Sequence, residues 1–237
     1  MKLGTYVEIR TVVDDLIAGL AFYEKLGFEA VGDTTLTDGC INLRLLTGSG
    51  PTPVLAYAGS DLDALRRAGL SLTPTSGGAM LEAPGGLQIA LSPAPSLIAM
   101  PAGPPLARTP HSQLGTFGEL ALSVADFEQA RAFWEQAGFE TMHAAISPYP
   151  WGIVTDDLIV VGLHQNQEFG MPGQRDVLTR PTLTYFAGDM AQRIAALQAD
   201  GVALDALPPV FDGQPVVNAC CLAPGGQQIF LFKGEVA

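Results

Sequence analysis

Two glutamates stand at matching places of a repeated stretch. Glu8 lies in LGTYVEIRTVVDDLIAGLAFYEKLGFE, residues 3–29, and Glu119 lies in LGTFGELALSVADFEQARAFWEQAGFE, residues 114–140, at an offset of 111. Twelve of the 27 positions are identical, self-similarity that marks a duplicated unit. A carboxylate on a strand can anchor a polar ligand atom, exchange a proton or help to hold a metal, and its neighbours select among these. Side chains i and i+2 share a strand face, so Glu8 shares its side with Tyr6 and Arg10, and Glu8 with Arg10 reads as a half-buried ion pair. Glu119 shares its side with Phe117, Ala121 and Ser123. With no local cation it is the better candidate for ligand contact, against the plain reading of a glutamate satisfied by hydrogen bonds.

The elements that must carry these residues follow from patterning. Residues 5–13 alternate as a strand. Asp15 then offers a side-chain oxygen to cap a helix striped by Leu16, Leu20, Tyr23 and Leu26 and stopped at Gly27. In the second copy Asp126 with Gln129 forms a capping-box arrangement, and Gly138 stops the helix. Short strand-like runs follow at 28–31 and 41–46, and at 139–143, 151–155 and 158–164, separated by turns such as Asp38-Gly39 and Asp156-Asp157. A second unit comes after each: strand 54–58, Asp61, a short helix and Gly69, repeated as strand 182–186, Asp189, a helix and Gly201. Both copies close on a Pro-Gly-Gly turn and a last strand, APGGLQIAL at 83–91 and APGGQQIFL at 223–231. Insertions fall in the second copy, notably in residues 165–180, where Gly170, Pro172 and Gly173 suggest a lid or rim loop.

The division is therefore residues 1–92, a proline-rich linker at 93–113, and residues 114–237. Apolar residues make up 48% and charged residues 15% of the 237, a globular composition. A net charge of −12 argues against nucleic acid or an anionic membrane as partner. Without a long apolar run or a leader pattern, the expectation is a cytoplasmic protein that binds something small. Cys40, Cys220 and Cys221, odd in number and widely split, are expected to be reduced packing thiols. No phosphate-binding glycine loop, G-x-S-x-G or paired Cys and His is found.

Strand, Asp-capped helix, the aromatic pairs Phe22-Tyr23 and Phe133-Trp134, the Gly-Phe stop and the Pro-Gly-Gly hairpin together resemble the vicinal oxygen chelate superfamily, which includes glyoxalases, bleomycin-resistance proteins and extradiol dioxygenases. The resemblance implies an α+β fold: a tandem pair of glyoxalase-like domains, each made of two βαβββ modules forming a cupped mixed sheet. It also implies one divalent metal held by residues of the first, fifth and eighth strands. Carried onto this chain, those positions are Glu8, Val54 and Ala90 in the first copy and Glu119, Thr182 and Phe230 in the second. One carboxylate with such partners does not make the three-ligand set a catalytic metal needs, so no cofactor is expected unless Glu119 recruits a metal with His164 or His143.

The lining expected for the second cup is Glu119, Thr182, Thr184, Phe186, Phe230 and Phe232, with His164 and Trp151 nearby and Tyr149 on the rim or anchoring its turn. That expected for the first is Glu8 and Arg10, with Arg44 and Asn42 from the fourth strand. Metal-independent binding of a small apolar or aromatic molecule in the second cup is the leading expectation. The alternatives are a metal-dependent lyase, isomerase or dioxygenase, and a structural or interaction module without ligand. The duplication suits a monomer whose halves form a pseudo-dimer, or a homodimer.

Overall fold

The computed structural model describes residues 1–50, 52–166, 181–208 and 213–235. The first half runs β1 (Tyr6–Val13), α1 (Leu16–Lys25), β2 (Glu29–Ala30), β3 (Thr35–Thr37) and β4 (Asn42–Thr47), then β5 (Val54–Ala58), α2 (Leu62–Arg67), β6 (Thr73–Thr75), β7 (Gly78–Glu82) and β8 (Gln88–Ser92). The second repeats the order as β9 (Thr116–Val124), α3 (Phe127–Gln136), β10 (Glu140–Ala145), β11 (Trp151–Thr155) and β12 (Val160–Gln165), then β13 (Thr182–Ala187), α4 (Met190–Ala199), β14 (Asp205–Ala206), β15 (Ala219–Leu222) and β16 (Gln228–Lys233). Each half is thus two βαβββ modules.

Each half makes one mixed eight-stranded sheet, ordered β2-β3-β4-β1-β5-β8-β7-β6 and β10-β11-β12-β9-β13-β16-β15-β14. The glutamate-bearing strand is central in both. β1 runs parallel to β4 and antiparallel to β5, and β9 stands likewise between β12 and β13. This is the α+β architecture expected of tandem vicinal oxygen chelate domains.

The helices start where their caps dictate. Asp15, Asp61 and Asp126 accept the backbone N–H of Ala18, Ala64 and Gln129 at 3.1, 2.9 and 3.0 Å, satisfying donors that have no partner in a first turn. Asp189 does not cap α4; its Oδ1 instead accepts from Arg193 Nε at 2.7 Å. The strands β3, β6 and β7 have no counterpart in the sequence reading. The first two hold three residues each, one of them a proline in β6, too short for a period of two to show.

The halves do not fold around separate interiors. One apolar cluster runs through both, from Leu3, Tyr23 and Leu55 to Trp134, Leu163 and Leu231. Two buried hydrogen bonds cross between them in reciprocal fashion: Tyr57 of β5 donates to Asp156 Oδ2 at 2.7 Å, and Tyr185 of β13 donates to Asp38 Oδ2 at 2.8 Å. The other oxygen of each aspartate closes its own turn, Asp38 accepting from Cys40 and Ile41 and Asp156 from Leu158 and Ile159. The Pro-Gly-Gly turns exchange in the same way. Gly85 and Gly225, both at φ 82, pack so closely on Ser123 and Val12 of the opposite half that a side chain would meet their carbonyl oxygens.

The linker is docked. Buried Arg108 donates through Nη1 to the carbonyls of Cys40 at 2.7 Å and Leu158 at 3.0 Å, one in each aspartate turn. Asn42 donates to the Ala99 carbonyl at 3.0 Å and His111 N–H to that of Asp38 at 2.6 Å. All three cysteines are buried and in no disulfide, and burial pushes the Cys40 thiol up to about 12. Among the described residues no helix is long and apolar enough to cross a membrane.

Replacing Tyr57 or Tyr185 with Phe strips one donor from a buried carboxyl and should lower the unfolding free energy by about 1–3 kcal/mol each, read from urea melts. Burial holds Asp38 and Asp156 above the ordinary carboxylate range. Their folded pKa thus exceeds the unfolded value of about 3.9. The stability they confer is fully present below that value and is lost as pH rises through the raised ones. The double variant Asp38→Asn, Asp156→Asn should flatten this descent when midpoints are compared from pH 4 to 8.

Candidate functional site

The second cup is shaped first by a break in β9. Its ladder with β13 shifts between Thr184 and Tyr185, setting Glu119 opposite Thr184 and Phe117 opposite Tyr185. Gly118 occupies this bulge. The extra residue reverses the alternation, so Phe117 does not share the side of Glu119: it is buried against Tyr185, ring centroids 5.6 Å apart. A side chain at position 118 would run into the Phe186 ring.

The neighbouring strand supplies a second small residue. Gly162 of β12 pairs with Ala121, and a Cβ there would fall on the Glu119 carboxylate. Two residues on, His164 holds that carboxylate, Nε2 to Oε1 at 3.0 Å, with both residues 7% exposed. Tyr149 places its hydroxyl 3.2 Å from His164 Nδ1, and Trp151, the register partner of His164, stacks parallel to its ring at 5° and 6.0 Å. A neutral imidazole with its proton on Nε2 satisfies both contacts, donating to Glu119 and accepting from Tyr149. The result is a Tyr149–His164–Glu119 chain, buried at His164 and Glu119 and half-buried at Tyr149. Burial, and then the charge of Glu119, raise the Tyr149 phenol above its ordinary value.

This chain opens on a cavity of about 370 Å³ walled by Trp151, Ile153, Thr184, Phe186, Phe230 and Phe232. Thr184 and Phe230 face each other across the β13–β16 ladder, so Glu119, Thr184 and Phe230 form one row. Thr182 lies one pair further along, fully buried, with its hydroxyl 3.2 Å from Gln228 Oε1 and away from the cavity wall. His143 of β10 is exposed and lies against Trp151, ring centroids 4.7 Å apart, outside the cavity. Of the expected rim segment only Gln165 and Asn166 are described; Gln165 accepts the Phe127 N–H at 3.0 Å, while Gly170, Pro172 and Gly173 lie outside the described residues.

In the first cup Glu8 is 3% exposed and takes three donors: Tyr6 Oη at 2.9 Å, Arg10 Nε at 2.7 Å and Arg44 Nη1 at 3.4 Å. Its row continues through Ala56 and Ala90. A cavity of about 430 Å³ lies above, closed on one side by linker residues Ser96 and Ile98. Asn42, expected here, instead turns to the linker carbonyl of Ala99.

The metal of the resembled superfamily needs three converging donors. Here Glu119 and His164 bind one another directly, and their row is completed by a hydroxyl and a phenyl ring. Among the described residues no group of three His, Cys, Asp or Glu could hold a metal ion. The donor set does not fit. Sequence reasoning missed the role of Gly162 and the Tyr149–His164 contact. The aromatic turn at 149–151 was the available signal for the second, and nothing local signals the first.

No family model and no curated protein matches the chain. Among solved structures it is similar to the 2,3-dioxygenase LapB from Pseudomonas sp. KL28, with TM-score 0.59 and 17% identity over 96% of this chain and 91% of that one. It is likewise similar to BphC, a halotolerant catechol dioxygenase, with TM-score 0.57 and 13% identity over 100% and 88%. A variant of 4-hydroxymandelate synthase from Streptomyces coelicolor aligns with TM-score 0.59 and 16% identity over 97% and 92%. With two eight-stranded cupped sheets built from paired βαβββ modules, the chain has the vicinal oxygen chelate fold in two tandem domains.

Proposed function

We propose that the protein binds a small, largely apolar or aromatic molecule in the cup of its second half, without a metal held in the superfamily's manner. One observation carries this: the Tyr149–His164–Glu119 chain, buried at its His164–Glu119 end, opens on a cavity whose other walls are chiefly aromatic. An apolar body gains from burial against such rings, while a few fixed polar groups orient it. The similar structures are named for catechol and 4-hydroxymandelate, both aromatic compounds, which agrees with that lining. The rival, a metal-dependent dioxygenase-type activity, has the fold in its favour, but fold alone does not carry chemistry. The repeated sheets support domains at 1–92 and 114–237, and the core they share supports their acting as a pseudo-dimer within one chain.

The chain holds two tryptophans, and Trp151 lies in the cavity wall, so fluorescence reports occupancy. With excess EDTA, 2-naphthol should quench it saturably, and Glu119→Gln should weaken binding by about 10–100-fold. Binding abolished by EDTA, or near-stoichiometric Fe, Mn, Ni or Zn in protein purified without chelator and lost in Glu119→Ala, would overturn the reading. Gly162→Ala makes a sharper probe. Its methyl displaces only the end of the Glu119 side chain, so binding should fall as in Glu119→Gln while the melting temperature changes little.

A further inference from the structure

We infer that the cup of the first half is a second, independent site, which takes a small organic monocarboxylate through Arg10 and Arg44. The two cups share one frame but not one chemistry. Two residues after each glutamate the ladder pairs Arg10 with Arg44 in the first half and Ala121 with Gly162 in the second. Two guanidiniums therefore stand where the other cup has only small residues. In a chain of net charge −12, this places two cations side by side on parallel strands at the floor of a cavity.

Glu8 does not exhaust them. Arg10 engages it through Nε, and Arg44 through Nη1 at the longer 3.4 Å, although each guanidinium carries five N–H donors. The terminal amino groups of Arg10 and Nη2 of Arg44 have no other hydrogen-bond partner among the described residues. Both side chains line the cavity and remain 34% and 41% exposed, whereas Glu8 is 3% exposed. One buried carboxylate against two cations leaves the floor one positive charge in excess, with Asp33 exposed at the rim. Glu8 also fixes both guanidiniums before a ligand arrives, which lowers the ordering cost of binding. A planar carboxylate suits a pair of forked donors. A single negative charge matches the excess on the floor, Asp33 at the rim disfavours a second, and Ala56, Ala58 and Ile98 offer apolar contact to the remainder of the molecule.

Isothermal titration with benzoate, phenylacetate, benzamide and inorganic phosphate tests this. The two carboxylates should bind the parent protein, Glu119→Gln and Trp151→Ala alike, and more weakly as salt is raised; benzamide should show no binding that depends on Arg44. Arg44→Met leaves Tyr6 and Arg10 on Glu8 and should weaken both carboxylates tenfold or more. Should that variant not fold, Arg44→Lys keeps the charge without the fork and should still lose affinity. The inference is overturned if neither carboxylate binds at millimolar concentration, if benzamide or phosphate binds as tightly in a manner lost with Arg44→Met, or if Arg44 variants bind the carboxylates unchanged. Loss of carboxylate binding with Trp151→Ala would also overturn it, by placing them in the second cup. Because Glu119→Gln disables only the second cup, failure of either reading leaves the other standing.

Discussion

The reciprocal pair of tyrosine–aspartate hydrogen bonds ties the two sheets into one body. Tyr57 and Tyr185 each leave the strand next to a glutamate strand and end on the aspartate turn of the opposite half. A buried carboxyl is costly unless it is hydrogen-bonded, and here each is satisfied partly by its own turn and partly by the other half. Neither turn is complete alone. Arg108 binds a carbonyl of both turns at once, so the linker is a third member of the joint.

That joint explains why two unlike cups can sit on one scaffold. The sheets are held through the Tyr–Asp pairs, the exchanged Pro-Gly-Gly turns and a common core, of which Tyr57 also lines the first cavity. Each cup is then free to answer the same demand differently. A glutamate on the central strand, almost wholly removed from water, requires donors. The first half meets this with a phenol and two arginines, the second with a single imidazole backed by a phenol. The outcome is a cationic floor in one and a largely aromatic chamber that holds the Glu119 carboxylate in the other.

The fold is retained, while the described residues do not supply three converging metal donors. The first-strand position keeps a carboxylate in both halves, but the rows across the sheets read Glu8–Ala56–Ala90 and Glu119–Thr184–Phe230. Fold and site are separable because backbone ladders set where a side chain is presented, and only its identity sets what it can bind. At 17% identity or less to the similar dioxygenases and synthase, what is shared is that ladder.

The architecture was legible in the primary structure because duplication shows without three-dimensional knowledge. So were the aspartate caps, whose chemistry is local: Asp15, Asp61 and Asp126 contact groups three residues away. The same locality made Glu8 with Arg10 readable, and it failed at Asp189, where Arg193 took the carboxylate from the helix end. What only the tertiary structure decided depends on register and on contacts between distant segments. One extra residue at Gly118 turned Phe117 from the cup to the core, and the strand register, the same in both halves, set Thr184 rather than Thr182 opposite Glu119, as it set Ala56 opposite Glu8. The pairing of Glu119 with His164 spans 45 positions and requires a glycine two residues before that histidine on its own strand, while Tyr57 finds Asp156 across 99. Periodicity tells which side of a strand a residue takes only while the alternation is unbroken, and it cannot tell which neighbour the folded chain brings opposite.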